Sequence, residues 1–133
     1  MTASPKSVQA ARGFLADLED IAEQFLKTSP ATAASRFSEL RQALIKIIES
    51  LKQFPLMGRR AGFLSAKSEQ GIAQMKRALR LAKVLNTADF REVLVLSYVV
   101  LYAPTDSTTL LLAIKDQRAA SYRNLRPSRA APP

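Results

Sequence analysis

Between Glu92 and Tyr102 the chain reads Glu-Val-Leu-Val-Leu-Ser-Tyr-Val-Val-Leu-Tyr, rich in β-branched and aromatic residues and without a helical period. Such a run forms sheet rather than helix, and it is long for a single strand. Ser97 is the expected turn or bulge that divides it in two. Pro104-Thr105-Asp106-Ser107 reads as a turn and Thr108 to Ile114 as a further strand. The second half of the chain therefore carries a small antiparallel sheet, formed chiefly from residues 91–114. The first half has to supply a surface for it to pack on.

That surface is helical. Over residues 12–27, Phe14, Leu15, Leu18, Ile21, Ala22, Phe25 and Leu26 recur at helical spacing, with Asp17, Glu19, Asp20 and Glu23 on the other side. Thr28-Ser29-Pro30 stops this helix and offers a start signal for the next. A second helix is expected over 31–53, with Phe37, Leu40, Leu44, Ile47, Ile48 and Leu51 as its apolar stripe, ending at Phe54-Pro55. Two long helices joined by a short Ser-Pro turn predict an antiparallel αα-hairpin on one face of the sheet, an α+β fold. The expected core is Phe14, Leu18, Ile21, Phe25, Phe37, Leu44, Ile48, Val95, Val99 and Leu112. Leu56 to Ala66 reads as a loop containing the basic pair Arg59-Arg60. Residues 67–86 form a third helix, with Ile72, Met75, Leu79, Ala82 and Leu85 or Asn86 keeping the helical period; Lys76, Arg80 and Lys83 share another face, expected to be solvated, with nucleic acid or an acidic protein surface as the alternative.

Composition narrows the chemistry. With 133 residues the expectation is one domain over 1–125, followed by a basic, Pro-containing tail, 126–133, too poor in apolar residues to order itself. The absence of Cys removes disulfides, thiolate metal sites and cysteine nucleophiles. The absence of His removes imidazole ligands and the commonest general base near neutrality. No metal and no cofactor is expected. No apolar stretch approaches a membrane span, and the first residues lack a signal-peptide core, so a cytoplasmic location is expected. The net charge of +9 is unevenly placed: seven bases and six acids lie in residues 1–57, thirteen bases and five acids in 58–133. A strongly basic second half points to an acidic or polyanionic partner.

The order of signals resembles the RelE/ParE family of toxins from type II toxin–antitoxin systems. The residues that carry the resemblance are Asp17-Leu18 with Ile21, Pro55-Leu56-Met57-Gly58-Arg59, Arg91-Glu92-Val93-Leu94-Val95, Tyr98-Val99-Val100-Leu101-Tyr102, and Lys115-Asp116-Gln117-Arg118 with Tyr122. The resemblance covers roughly residues 8–122. The resemblance implies a short first strand over Lys6 to Ala11, which periodicity does not reveal. Two departures stand out. The segment between Arg59 and Arg91 is longer than usual, because it holds the third helix, and Asp116 stands where the family often has His.

The family divides into RelE-like members, which cleave messenger RNA on the ribosome, and ParE-like members, which bind and block DNA gyrase. A RelE-like reading needs an acid, a base and cations, and would draw on Glu92, Tyr122, Arg91, Lys115 and Arg118. Each has a structural reading too. Glu92 is expected to form an edge ion pair with Arg91, Arg59 to donate to carbonyls, Tyr98 and Tyr102 to be half-buried, and Tyr122 to pack back on the sheet. Asp116 places a negative charge beside Lys115 and Arg118, where phosphate would have to sit. The ParE-like reading is therefore the expectation, with no catalytic residue and with Arg59, Arg60, Arg91, Lys115 and Arg118 facing partners. Those partners would be gyrase and a ParD-like antitoxin whose acidic, amphipathic tail crosses the hairpin and the sheet, one face of which is expected to be open, near Arg59, Arg91 and Arg118. Nucleic acid would be met only indirectly. A basic nucleic-acid-binding module without toxicity is the further alternative.

Overall fold

The computed structural model describes residues 7–61, 69–119 and 121–125. Lys6, most of the loop at 62–66, the first two residues of the expected third helix and the tail 126–133 lie outside the described residues. Strand β1 (Ser7–Ala10) leads into helix α1 (Arg12–Thr28), followed by α2 (Ala33–Gln53) and the two-residue strand β2 (Arg59–Arg60). Helix α3 (Glu69–Leu85) comes next, and then strands β3 (Arg91–Val95), β4 (Tyr98–Pro104) and β5 (Thr108–Asp116). The helices fall where the 3.6-residue period placed them. The start of α2 differs in detail: its N-cap is Thr32, which makes no side-chain cap bond, rather than a residue of the Ser-Pro turn. Helix α3 stops at Asn86, whose positive φ of 55° lets Thr87 N–H reach back to Ala82 O at 3.2 Å.

The division of the long apolar run falls at the expected place. Val95 pairs with Tyr98, leaving Leu96-Ser97 as a two-residue hairpin loop. Leu96 takes φ 55°, the left-handed conformation that such loops demand and that a branched side chain adopts at a cost of about 1 kcal/mol.

Two expectations are corrected. The sheet is mixed, in the order β1-β5-β4-β3-β2, because β1 runs parallel to β5, Ser7 opposite Thr108 and Ala10 opposite Leu111. A strand whose only partner lies a hundred residues away leaves no periodic trace of that partner. The sheet is also covered on both sides rather than one. Along β4, Val99, Leu101 and Ala103 point into one buried cluster while Val100 and Tyr102 point into the other. Phe14 of α1 and Leu40, Leu44 and Leu51 of α2 join the second cluster. Ala78, Leu81 and Leu85 of α3, with Tyr122 and Leu125, join the first. Central strands buried on both faces are apolar throughout instead of alternating, and Leu110 to Ile114 has that composition. A bulge between Leu101 and Tyr102 shifts the β4–β5 register and sends both Leu112 and Ala113 to the α3 side.

The expected core therefore splits. Phe14, Leu44 and Val95 are buried under α1 and α2, with Leu18, Ile21 and Ile48 half-buried against them. Val99 and Leu112 are buried, but on the α3 side. Phe25 is buried beneath the Arg36 guanidinium, 4.4 Å from the ring centroid, and Phe37 is only half-buried. Leu44→Asp should place an unpaired carboxylate in the α2–sheet cluster and cost several kcal/mol, about the whole stability of a small domain. Ile45→Asp, at the exposed neighbour, should melt within a few degrees of wild type when both are followed by circular dichroism.

Candidate functional site

The residues named for chemistry are distributed by the sheet's two faces. Glu92 and Tyr122 come together under α3. The Tyr122 hydroxyl donates to Glu92 Oε2, and the two residues are 2 % and 7 % exposed. Burial, with the carboxylate beside it, holds the phenol well above its usual ionisation range. Helix α3 fixes this arrangement through buried Gln74, whose Oε1 accepts from Tyr122 N–H at 3.2 Å while its Nε2 donates to Tyr122 O at 3.5 Å. The expected ion pair of Glu92 with Arg91 does not form, because adjacent strand residues point to opposite faces. The sequence does not single out Gln74, because the apolar stripe is expected through Ile72, Met75 and Leu79; the buried side of α3 runs instead through Gln74, Ala78, Leu81 and Leu85, and Ile72 and Leu79 are exposed.

Arg91 is engaged elsewhere. Its Nε donates to Asp89 Oδ1 at 3.0 Å, and its Nη1 donates to Leu56 O at 3.1 Å and Gly58 O at 2.9 Å. It thus holds the loop after α2, the carbonyl-binding role expected of Arg59. Gly58 N–H donates to the Tyr102 hydroxyl at 2.8 Å. A Cβ at Gly58 would lie 2.7 Å from both Glu92 O and that hydroxyl, so the backbone approach requires glycine. Tyr102 is fully buried rather than half-buried. Burial raises its pKa most strongly, and the Gly58 N–H opposes the shift.

The remaining candidate cations face outward. Arg59 and Arg60 are exposed along β2, paired to Glu92 and Arg91 in register. Arg118 is exposed and donates through Nε to Asp116 Oδ1 at 3.1 Å, which lowers the Asp116 pKa. Lys115 Nζ donates to Ala119 O at 2.7 Å and lies 5.3 Å from the Tyr122 ring centroid. Among the described residues no group of His, Cys, Asp and Glu is placed to hold a metal ion.

Asp17 corrects the reading of α1. It belongs to the acidic side by sequence, yet it is 3 % exposed, accepting from Ile114 N–H at 2.9 Å and Asn124 Nδ2 at 2.7 Å. It therefore clamps α1 to the end of β5 and to the C-terminal segment.

A family model matches residues 8–120, described as the ParE toxin of type II toxin-antitoxin system, parDE. The chain belongs to the ParE toxin family. A solved structure titled "Chromosomal ParDE TA system from P. aeruginosa" is similar in fold, with a TM-score of 0.53 at 13% identity, covering 86% of this chain and 98% of that one. No curated protein sequence matches. Within this ParE-family chain, Asp17 and the Arg91 staple belong to the motifs that carry the resemblance, and both stabilise the fold.

Burial raises the Asp17 pKa, and the bonds from Ile114 and Asn124 only partly offset it. The folded chain thus holds this proton more tightly than the unfolded one. Its stabilising increment is full below the ordinary carboxylate value and fades as pH rises through the raised value. Asp17→Asn turns an amide NH2 toward one of the two donors and should cost about 1–3 kcal/mol near neutrality. In urea titrations the gap between wild type and Asp17→Asn should widen as pH is lowered toward the ordinary carboxylate value.

Proposed function

We propose that this ParE-family chain is a toxin that acts by binding and inhibiting DNA gyrase, in the cytoplasm, and is neutralised by a cognate antitoxin. The observation that carries this reading is the Glu92–Tyr122 pair. The two side chains best suited to proton transfer are spent on each other beneath α3 and the C-terminal segment. A general base must reach the proton it abstracts, and a phenol held protonated beside a buried carboxylate is poorly placed to become one. What faces solvent is cationic instead, Arg59, Arg60 and Arg118 with Lys115 alongside, and this suits recognition of an acidic surface.

Purified protein should inhibit gyrase supercoiling and leave ribosome-bound messenger RNA uncut. Tyr122→Phe removes one donor from buried Glu92 and should lower stability by about 1–3 kcal/mol. It should retain supercoiling inhibition at temperatures where it is folded. Codon-positioned cleavage of ribosome-bound message, abolished by Tyr122→Phe or Glu92→Gln with supercoiling untouched, would replace gyrase with the ribosome as the target.

The antitoxin's expected path over an open sheet face is corrected by α3, which covers that face. A groove of about 460 Å³ lies instead between α2 and the β3–β4 turn, lined by Glu39, Lys46, Ile47, Leu94, Val95 and Leu96 among others. Leu94 and Leu96 are each 59 % exposed there, and β2 pairs only with Arg91 and Glu92 of β3. We place the antitoxin's amphipathic tail in this groove, its acids directed to Arg59 and Arg60. Raising salt should then slow association far more than it speeds release, and Leu94→Glu should speed release. Stopped-flow rates independent of ionic strength would remove the electrostatic part of this assignment.

A further inference from the structure

Four of the thirteen bases of the second half stand within eight residues of one helix. Most cations nearby are already engaged: Arg91 with Asp89, Arg118 with Asp116, Arg123 with Asp20 at 3.9 Å, and Lys115 with a carbonyl. On α3 the positions Gln74, Ala78, Leu81 and Leu85 are buried against the sheet. Helical geometry then turns Lys76, Arg80 and Lys83 to the opposite face, with Arg77 on its flank. All four are exposed, and none makes an ion pair among the described residues. No acid occurs between Gln70 and Ala88. Because the inner face is packed and Gln74 grips the C-terminal segment, these cations stand on a fixed support.

We propose that the outer face of α3 binds the phosphate backbone of duplex DNA. Lys76 to Lys83 span about 10 Å along the helix axis, so successive cations can meet phosphates across a groove edge of duplex DNA. Neutralising phosphates releases condensed counterions, which favours a compact row of uncompensated cations over scattered surface charge. An acidic polypeptide docking on this convex face would find only Ile72 and Leu79 as aliphatic anchors. This inference holds whether gyrase or the ribosome is the target, since it concerns the outer face of α3, whereas the Glu92–Tyr122 pair lies beneath its inner face.

The test is fluorescence anisotropy of a labelled duplex of about 20 base pairs, titrated with full-length protein over a range of salt concentrations. Four phosphate contacts give a slope of log K against log salt of about −3 to −4. The variant Lys76→Gln/Arg77→Gln/Arg80→Gln/Lys83→Gln should lose about tenfold or more in affinity at low salt and flatten that slope by two or more. The matched variant Arg12→Gln/Lys27→Gln/Arg41→Gln/Lys52→Gln removes the same charge from α1 and α2 and should bind within about threefold of wild type. Circular dichroism melts check that both fold. Equal losses in the two variants, or no duplex binding by wild type at low salt, would overturn the proposal. Equal binding of poly-L-glutamate at matched charge would also overturn it, assigning the face to an acidic polypeptide.

Discussion

Strand β5 is buried on both faces, and the rest of the molecule is arranged around that fact. It lies between β1 and β4, with α1 against one side and α3 against the other. A strand in this position has to be apolar along its length and needs every backbone group paired. The end of β5 shows how that demand is met. Ile114 N–H finds no strand partner at the α1 side and takes the Asp17 carboxylate instead. The acid is thereby drawn out of water, and its raised pKa measures the desolvation that the hydrogen bonds only partly offset.

The two faces of the sheet are built differently. Under α1 and α2 the contacts are aliphatic and aromatic, with the Tyr102 hydroxyl accepting from the Gly58 backbone and Asp17 accepting from Ile114 as isolated polar contacts. Under α3 a polar chain runs from Gln74 through the backbone of Tyr122 to its hydroxyl and on to Glu92. Such a network specifies one arrangement of helix and C-terminal segment, because a partner lost in the interior leaves a costly orphan. The same network removes Glu92 and Tyr122 from solvent.

Much of the fold was legible in the chain. Helical period located α1, α2 and α3 to within two residues at most ends, and composition located the β3–β4 turn at Ser97. Periodicity speaks of local geometry, so it was silent on partners. It could not report that β1 pairs with β5, or that Glu92 meets Tyr122 thirty residues on. The resemblance supplied β1 and the motif around Asp17, but the wheel of α1 set Asp17 among solvated acids because its acceptor role depends on Ile114. The clearest overlooked signal was the unbroken apolar run from Leu110 to Ile114. It already required cover on both faces, which α3 provides together with Tyr122 and Leu125.

The pairing of β1 with β5 also constrains how the molecule is made. The hydroxyls of Ser7 and Thr108 lie 2.8 Å apart across 101 residues of sequence. Closing so large a loop is entropically unfavourable until the strands between are in place. During synthesis the first strand must wait, unpaired, until a strand about a hundred residues later has left the ribosome. The finished sheet thus forms only after β5 has emerged, and until then the newborn chain exists without its mature surface.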